Sequence, residues 1–250
     1  SKINSTSPDK IAAHVGGLSS FETINSFKKF LEEINVKNYE FREKDFYVNS
    51  DQKMNYIFNS SIQGIEKADF ILLVGANPRH EATILNARIR KTYLKNKLPI
   101  FSIGDPGDLT YPYKIVGNKT EDIQKILDGK SEINNLLKKS KNPLVIIGES
   151  ALELKSGKYI FEGFKKFLYK NKFINEDWNS FNILTQNAAT VGALDLNFFN
   201  KPNGRGSFFD KMNNHNCLLY TSDSADEGWG GDLGGRGIIK KKGGGGGGGG

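Results

Sequence analysis

Four short apolar runs interrupt an otherwise polar chain, and each ends at glycine. They are Ile11–Val15 before Gly16-Gly17, Phe70–Val74 before Gly75, Leu98–Ile103 before Gly104, and Leu144–Ile147 before Gly148. Little alternation occurs within them, as expected of strands buried on both faces. Ile115-Val116-Gly117 is a shorter strand, and Ser180–Leu184 is a weaker one.

Between the runs the apolar positions change to a spacing of three and four. Phe21, Ile24, Phe27, Leu31 and Ile34 mark one helix, with Ser19 and Glu22 at capping-box spacing before it. Ala82, Leu85, Ile89 and Tyr93 line a second helix, which Asn77 can cap with Pro78 in its first position. Thr120 can cap a third, bearing Ile123, Ile126 and Leu127, with Gly129 just past its end. Ile133, Leu136 and Leu137 mark a fourth helical stretch. Ile160, Phe161, Phe164, Phe167 and Leu168 mark a fifth.

Strands alternating with helices pair in parallel through helical crossovers. The expected fold class is α/β: a doubly wound, mostly parallel sheet with helices on both faces. Such sheets bind ligands beyond the carboxyl ends of their strands. That reasoning gathers Gly16-Gly17, Gly75-Ala76-Asn77-Pro78-Arg79, Gly104-Asp105-Pro106 and Gly148-Glu149-Ser150 near one edge.

Composition divides the 250 residues in two. Residues 217–250 hold 14 of the 28 Gly and the single Cys, Cys217. Their four basic and four acidic residues cancel, so the net charge of +7 belongs to residues 1–216. Cys217–Glu227 resembles a translated sequencing adapter, and Gly243–Gly250 a translated run of G. We read 1–216 as the protein and 217–250 as a non-native, disordered tail. The other reading of the tail is a flexible Gly-rich linker. No apolar run approaches the roughly 20 residues that cross a bilayer, and Ser1–Lys10 lacks the apolar stretch of a signal peptide. One Cys excludes an all-Cys metal or cluster site within this chain.

Candidate chemistry is sparse. The strand-end glycines could bring backbone N–H groups to a phosphate, or could simply permit tight turns. Neither G-x-G-x-x-G after a strand nor G-x-x-x-x-G-K-[ST] occurs. Arg79 is the best anion-facing side chain, and a surface salt bridge is its preferred role. His14, His80 and His215 are far apart, without metal-ligand spacing; His14 reads as a packed residue and His80 as exposed. Ser150 does not sit in a nucleophile elbow. A basic patch (Arg79, Arg88, Arg90, Lys91, Lys95 and Lys97) lacks any nucleic-acid motif and reads mainly as a solvated face.

One resemblance goes further. Asn77-Pro78-Arg79, Glu81-Ala82 and Asn86-Ala87-Arg88-Ile89-Arg90-Lys91 resemble the large iron–sulfur subunit of respiratory complex I. This is the 75 kDa family of NADH-quinone oxidoreductase, whose bacterial members are designated G. Gly64–Asp69 before the strand, Asp108-Leu109-Thr110-Tyr111, and Ala193-Leu194-Asp195-Leu196 support it in the family's order. The resemblance covers roughly residues 8–200. One departure is Thr83, where relatives often carry a small residue or Pro; it affects only the first helical turn.

The resemblance implies a fragment of the molybdopterin oxidoreductase-like domain of that subunit, which in complex I generally carries no molybdenum cofactor. Iron–sulfur clusters would belong to an N-terminal part not matched here, and electron transfer from NADH towards quinone to the whole subunit. The fragment would be a scaffold with no catalytic residue and no metal ligand. Its partners would be other peripheral-arm subunits, with neither nucleic acid nor membrane insertion involved, and the stretch Arg79–Lys97 would form a charged interface. The place implied is the cytoplasmic side of a bacterial inner membrane, or the matrix side in mitochondria. The rival is a working molybdopterin-dependent oxidoreductase, with Gly75, Asn77 and Arg79 holding cofactor phosphates.

Overall fold

The computed structural model of the chain describes residue 3, residues 5–199 and the backbone of residues 218–222. In chain order its strands and α-helices are β1 (Ile11–Val15), α1 (Phe21–Glu33), β2 (Tyr39–Glu40), β3 (Phe70–Val74), α2 (Pro78–Glu81), α3 (Thr83–Asn96), β4 (Ile100–Ile103) and β5 (Lys114–Gly117). There follow α4 (Thr120–Leu127), α5 (Asn134–Lys139), β6 (Pro143–Gly148), α6 (Glu149–Leu152), α7 (Gly157–Lys170), β7 (Phe181–Leu184), α8 (Ala189–Asp195) and β8 (Leu218–Ser222). They form two units. One takes the chain up to Asp45 and again from Asn187; the other is Phe46–Gln186.

The second unit is a five-stranded sheet in the order β5-β4-β3-β6-β7, with every pair parallel. The chain builds outward from β3 to β5, then returns to β6 on the other side of β3. This is the doubly wound order, and its switch point lies between β3 and β6. All five residues of β3 and all six of β6 are buried, which explains their unbroken apolar character. Successive β3 side chains serve opposite faces. Ile71 and Leu73 join Leu85 and Ile89 of α3 in one core layer, while on the other side Phe70 packs against Phe101, the tilted rings 5.3 Å apart. Phe161 of α7 meets Phe181 edge-on at 5.1 Å. At the entry to the sheet, the Asp69 carboxylate accepts the backbone N–H groups of Lys141 (2.8 Å) and Asn142 (3.1 Å), so β3 and β6 start in register.

The first unit is a smaller parallel sheet, β2-β1-β8, with α1 and α8. Ser20, not Ser19, caps α1, its hydroxyl accepting the Thr23 N–H at 3.2 Å. Phe198 is buried against Tyr39, their rings 4.7 Å apart. Glu40 and Arg42 form a fully enclosed ion pair at 2.8 Å, 0% and 4% exposed. The Glu40 carboxylate also accepts the backbone N–H groups of Phe41 and Arg42.

Two expectations change here. β1 belongs to a separate sheet, so Gly16-Gly17 does not follow a strand of the sheet that carries β3, β4 and β6. The short apolar run resembles the others, but hydrogen-bond partners far along the chain decide which sheet receives it. Leu218–Ser222, expected to be disordered, pairs with β1 in parallel from Ile11↔Leu218 to Val15↔Ser222. Leu218-Leu219-Tyr220-Thr221 has the strand-forming composition that such pairing needs. The rest of the tail lies outside the described residues.

Candidate functional site

The sheet edge of the second unit is where a doubly wound fold opens for a ligand, and here it is closed by its own chain. Gly75 takes the left-handed conformation (φ 54°), and a Cβ there would sit 2.9 Å from the Ala151 Cβ. A Cβ on Gly148 would lie 2.1 Å from the Gly75 carbonyl oxygen. These two glycines let the loops after β3 and β6 touch backbone to backbone, so the glycine signal marks close packing at the switch point.

Asn77 caps α2, its Oδ1 accepting the His80 N–H at 3.3 Å, while its amide group donates to the Pro106 carbonyl at 2.8 Å. The backbone N–H of Asn77 donates to Glu81 Oε2 at 3.0 Å. Gln186, just past β7, donates its backbone N–H to Glu149 Oε2 (3.1 Å) and its side-chain amide to Glu81 Oε1 (3.3 Å). Two carboxylates of this chain thus occupy donors that a doubly wound sheet offers to anions. Arg79 is paired as well: its guanidinium contacts the Asp108 carboxylate at 2.5 Å and the Asp108 carbonyl at 2.8 Å. The Thr110 N–H and then Arg79 hold the Asp108 carboxyl below the usual carboxylate range. Asp105 is held low by the Gly107 N–H and the Tyr113 hydroxyl. Among the described residues a pocket of about 190 Å³ lies here, lined by Asn77, Glu81, Asp105, Pro106 and Ser150 among others. Pockets for small ligands typically run from about 300 Å³ upward.

The larger concavity, about 610 Å³, lies along the outer side of α3. The segments that carry the family resemblance meet around this helix. Glu66 receives Arg88 (2.6 Å) and Lys91 (3.0 Å), and Lys91 then Arg88 hold its carboxyl below the usual range. Asn86 is buried; its amide donates to the Leu109 carbonyl at 3.0 Å, and its Oδ1 accepts the Tyr111 hydroxyl at 2.8 Å. Burial pushes the Tyr111 phenol well above its usual range. The Glu66, Asn77–Lys91 and Asp108–Tyr111 segments are therefore one hydrogen-bonded assembly. Thr83 lies in the first turn of α3: the chain breaks at Ala82 (φ −154°), and Thr83 is the first residue of the helix, a position that also suits Pro.

Of the other candidates, His80 is exposed, and His14 is half-buried in β1 with Nε2 3.4 Å from the Arg42 carbonyl. His215 lies outside the described residues. Ser150 Oγ lies 3.4 Å from the Gln186 amide group. Among the described residues, no group of three or more His, Cys, Asp or Glu could hold a metal ion. No helix among them is long and apolar enough to cross a membrane. Sequence reasoning missed Glu81, Glu149 and Gln186. The spacing of Asn77 to Glu81 carried a local signal, because a carboxylate four residues on can return to a capping backbone; Gln186 carried none.

Comparison with known proteins agrees with this picture of a family framework. The family model for molybdopterin oxidoreductase matches residues 1–227. In Rickettsia conorii, the NADH-quinone oxidoreductase subunit designated G is 36% identical over 197 residues, 79% of this chain. That of Rickettsia bellii is 34% identical over the same length. The mitochondrial 78 kDa subunit of the Neurospora crassa NADH-ubiquinone oxidoreductase is 43% identical over 150 residues, 59% of this chain. The chain spans 29% of the length of the two Rickettsia proteins and 20% of the Neurospora one. Parallel strands, helices on both faces of the larger sheet, and a match across most of the sequence show that the chain belongs to the molybdopterin oxidoreductase family.

Proposed function

We propose that the chain is part of the large peripheral-arm subunit of a proton-pumping NADH:quinone oxidoreductase, and that its work there is structural. The whole subunit passes electrons from NADH towards quinone through iron–sulfur clusters carried elsewhere in it. This part holds its neighbours in place and supplies neither a cluster ligand nor a catalytic residue. It lies peripherally, on the cytoplasmic side of a bacterial inner membrane or the matrix side of a mitochondrial one. Its partners are other subunits of that arm.

One observation carries the reading. The Asn77 and Gln186 backbone N–H groups and the Arg79 guanidinium are engaged by Glu81, Glu149 and Asp108 of the same chain. The absence of Cys from residues 1–216 agrees with it.

The family's name favours a second reading, a working molybdopterin enzyme, in which Gly75, Asn77 and Arg79 hold cofactor phosphates. These residues do not fit that group. A phosphate would have to displace Glu81 from Asn77 and Asp108 from Arg79, beside the further acid Asp105. Each displaced carboxylate would remain beside the phosphate as a like charge, which disfavours binding. Metal analysis of the purified intact enzyme separates the readings. The scaffold reading expects iron without molybdenum or tungsten, in a subunit that co-purifies with its neighbours. Stoichiometric molybdenum or tungsten overturns it.

A further inference from the structure

We propose that the groove along α3 receives an acidic, partly apolar segment of a neighbouring subunit. The inference rests on the scaffold reading and gives it a contact surface. It begins with the composition of the helix. Thr83–Asn96 holds four cations (Arg88, Arg90, Lys91 and Lys95) and no acid. The inward side packs Leu85 and Ile89 into the core. Arg88 and Lys91 are held by Glu66. Arg90 and Lys95 have no partner among the described residues. They line the groove of about 610 Å³ together with Thr83, Ala87 and Leu94.

The same exposed side carries apolar bulk. Ile84 is 68% exposed and Leu94 54%. Ile84, Ala87, Lys91 and Leu94 follow one another at spacings of three and four, so they share one face. A helix that is apolar on its inner side and has aliphatic side chains on its outer side gains from being covered on both. The cations choose the partner's sign: carboxylates on the incoming segment reach Arg90 and Lys95 while its apolar side chain enters between Ala87 and Leu94. A protein segment is favoured over a polynucleotide because no aromatic side chain among the described residues lines the groove to stack a base. It is favoured over a lipid surface because Ile84 and Leu94 are the exposed large apolar side chains of α3, too few to insert into a bilayer.

The test uses the full-length subunit in its native complex. A photo-crosslinking amino acid replaces Leu94, and the crosslinked peptide is identified by mass spectrometry. Crosslinking to a peptide of another subunit that bears at least two Asp or Glu supports the proposal. Crosslinking to lipid, nucleic acid, or a neutral or basic peptide overturns it. In parallel, Arg90→Glu with Lys95→Glu is expected to lower incorporation of the subunit into the complex by at least about tenfold. Its unfolding midpoint should stay close to that of the parent, because neither cation has a partner among the described residues and only Lys95 lies in the last turn of α3. Glu at both positions with normal incorporation overturns the proposal. The two readings fail differently: if the parent subunit never co-purifies with the complex, the scaffold reading falls, whereas normal incorporation of the double variant removes only the groove.

Discussion

Replacing Asn86 by Ala tests the claim that the family's most recognisable segment works by holding α3 to the loop after β4. Asn86 is 5% exposed and Tyr111 7% exposed, so water does not readily replace what the amide supplies. The substitution leaves the Leu109 carbonyl without the donor now 3.0 Å away, and the Tyr111 hydroxyl without the acceptor now 2.8 Å away. Each buried group left unpaired costs about 1–3 kcal/mol. Ala is the better helix former, which returns roughly 0.6 kcal/mol. The net expectation is a loss of about 3 kcal/mol, a large share of a typical domain's stability of about 5–15 kcal/mol. With a urea dependence of about 2 kcal/mol/M, the unfolding midpoint falls by roughly 1.5 M. Trp178, buried in the same unit, reports the transition by fluorescence once Trp229 is replaced by Phe. Tyr111→Phe removes one bond and should cost less, about 1–2 kcal/mol. Asn86→Asp turns a second oxygen on the Leu109 carbonyl and should cost at least as much as Ala. A change of less than about 1 kcal/mol for Asn86→Ala, against the penalty expected for two orphaned groups, refutes the reasoning.

Two further outcomes concern other parts of the chain. Arg42→Met leaves Glu40 charged in an enclosed site (0% exposed) and should destabilise the first unit by about 3–5 kcal/mol; adding Glu40→Gln, which keeps an acceptor for the Phe41 and Arg42 N–H groups, should recover most of the loss in thermal unfolding. Burial and the hydrogen bond to Glu162 push the Tyr47 phenol from its ordinary value near 10 up to about 12. The folded chain therefore keeps this proton where the unfolded chain has lost it, so this contribution to stability is full below pH 10 and is lost as pH rises towards 12. An ultraviolet titration should show late-ionising tyrosines, Tyr111 among them, and the component near pH 12 should shrink by one tyrosine in Tyr47→Phe; an unchanged component there means that Tyr47 is not the group responsible.

Much of the larger unit is legible in the sequence. Phe70–Val74 is β3 to the residue, and the helical spacing of Ile160, Phe161, Phe164 and Leu168 marks the buried side of α7. Asn77 caps its helix as its residue type suggests. Local errors have local causes. Thr120 is the first residue of α4 rather than its cap, because Asp122 turns back to accept the Asn118 N–H at 3.2 Å. The second helix was expected to be continuous from Pro78, but the chain breaks at Ala82. Apolar periodicity at Ala82, Leu85 and Ile89 records which residues face the core, and does not register a single residue that leaves helical geometry.

The functional reading depended on both levels. Sequence alone determined the fold class, the absence of cluster-forming cysteines in residues 1–216, and the kinship carried by Asn77–Lys91 and Asp108–Tyr111. These are properties of residue type and short-range spacing, and they survive without knowledge of the fold. Tertiary structure decided that β1 and its glycines belong to another sheet. It decided that Gly148 closes on Gly75, and that Glu81, Glu149 and Asp108 fill the donors a ligand would use. Gln186 reaches Glu81 across 105 positions of sequence and Asn86 reaches Leu109 across 23. Such partners are chosen by the path of the backbone, so one strand-end glycine looks the same in sequence whether it cradles a phosphate or lets two loops of the chain meet.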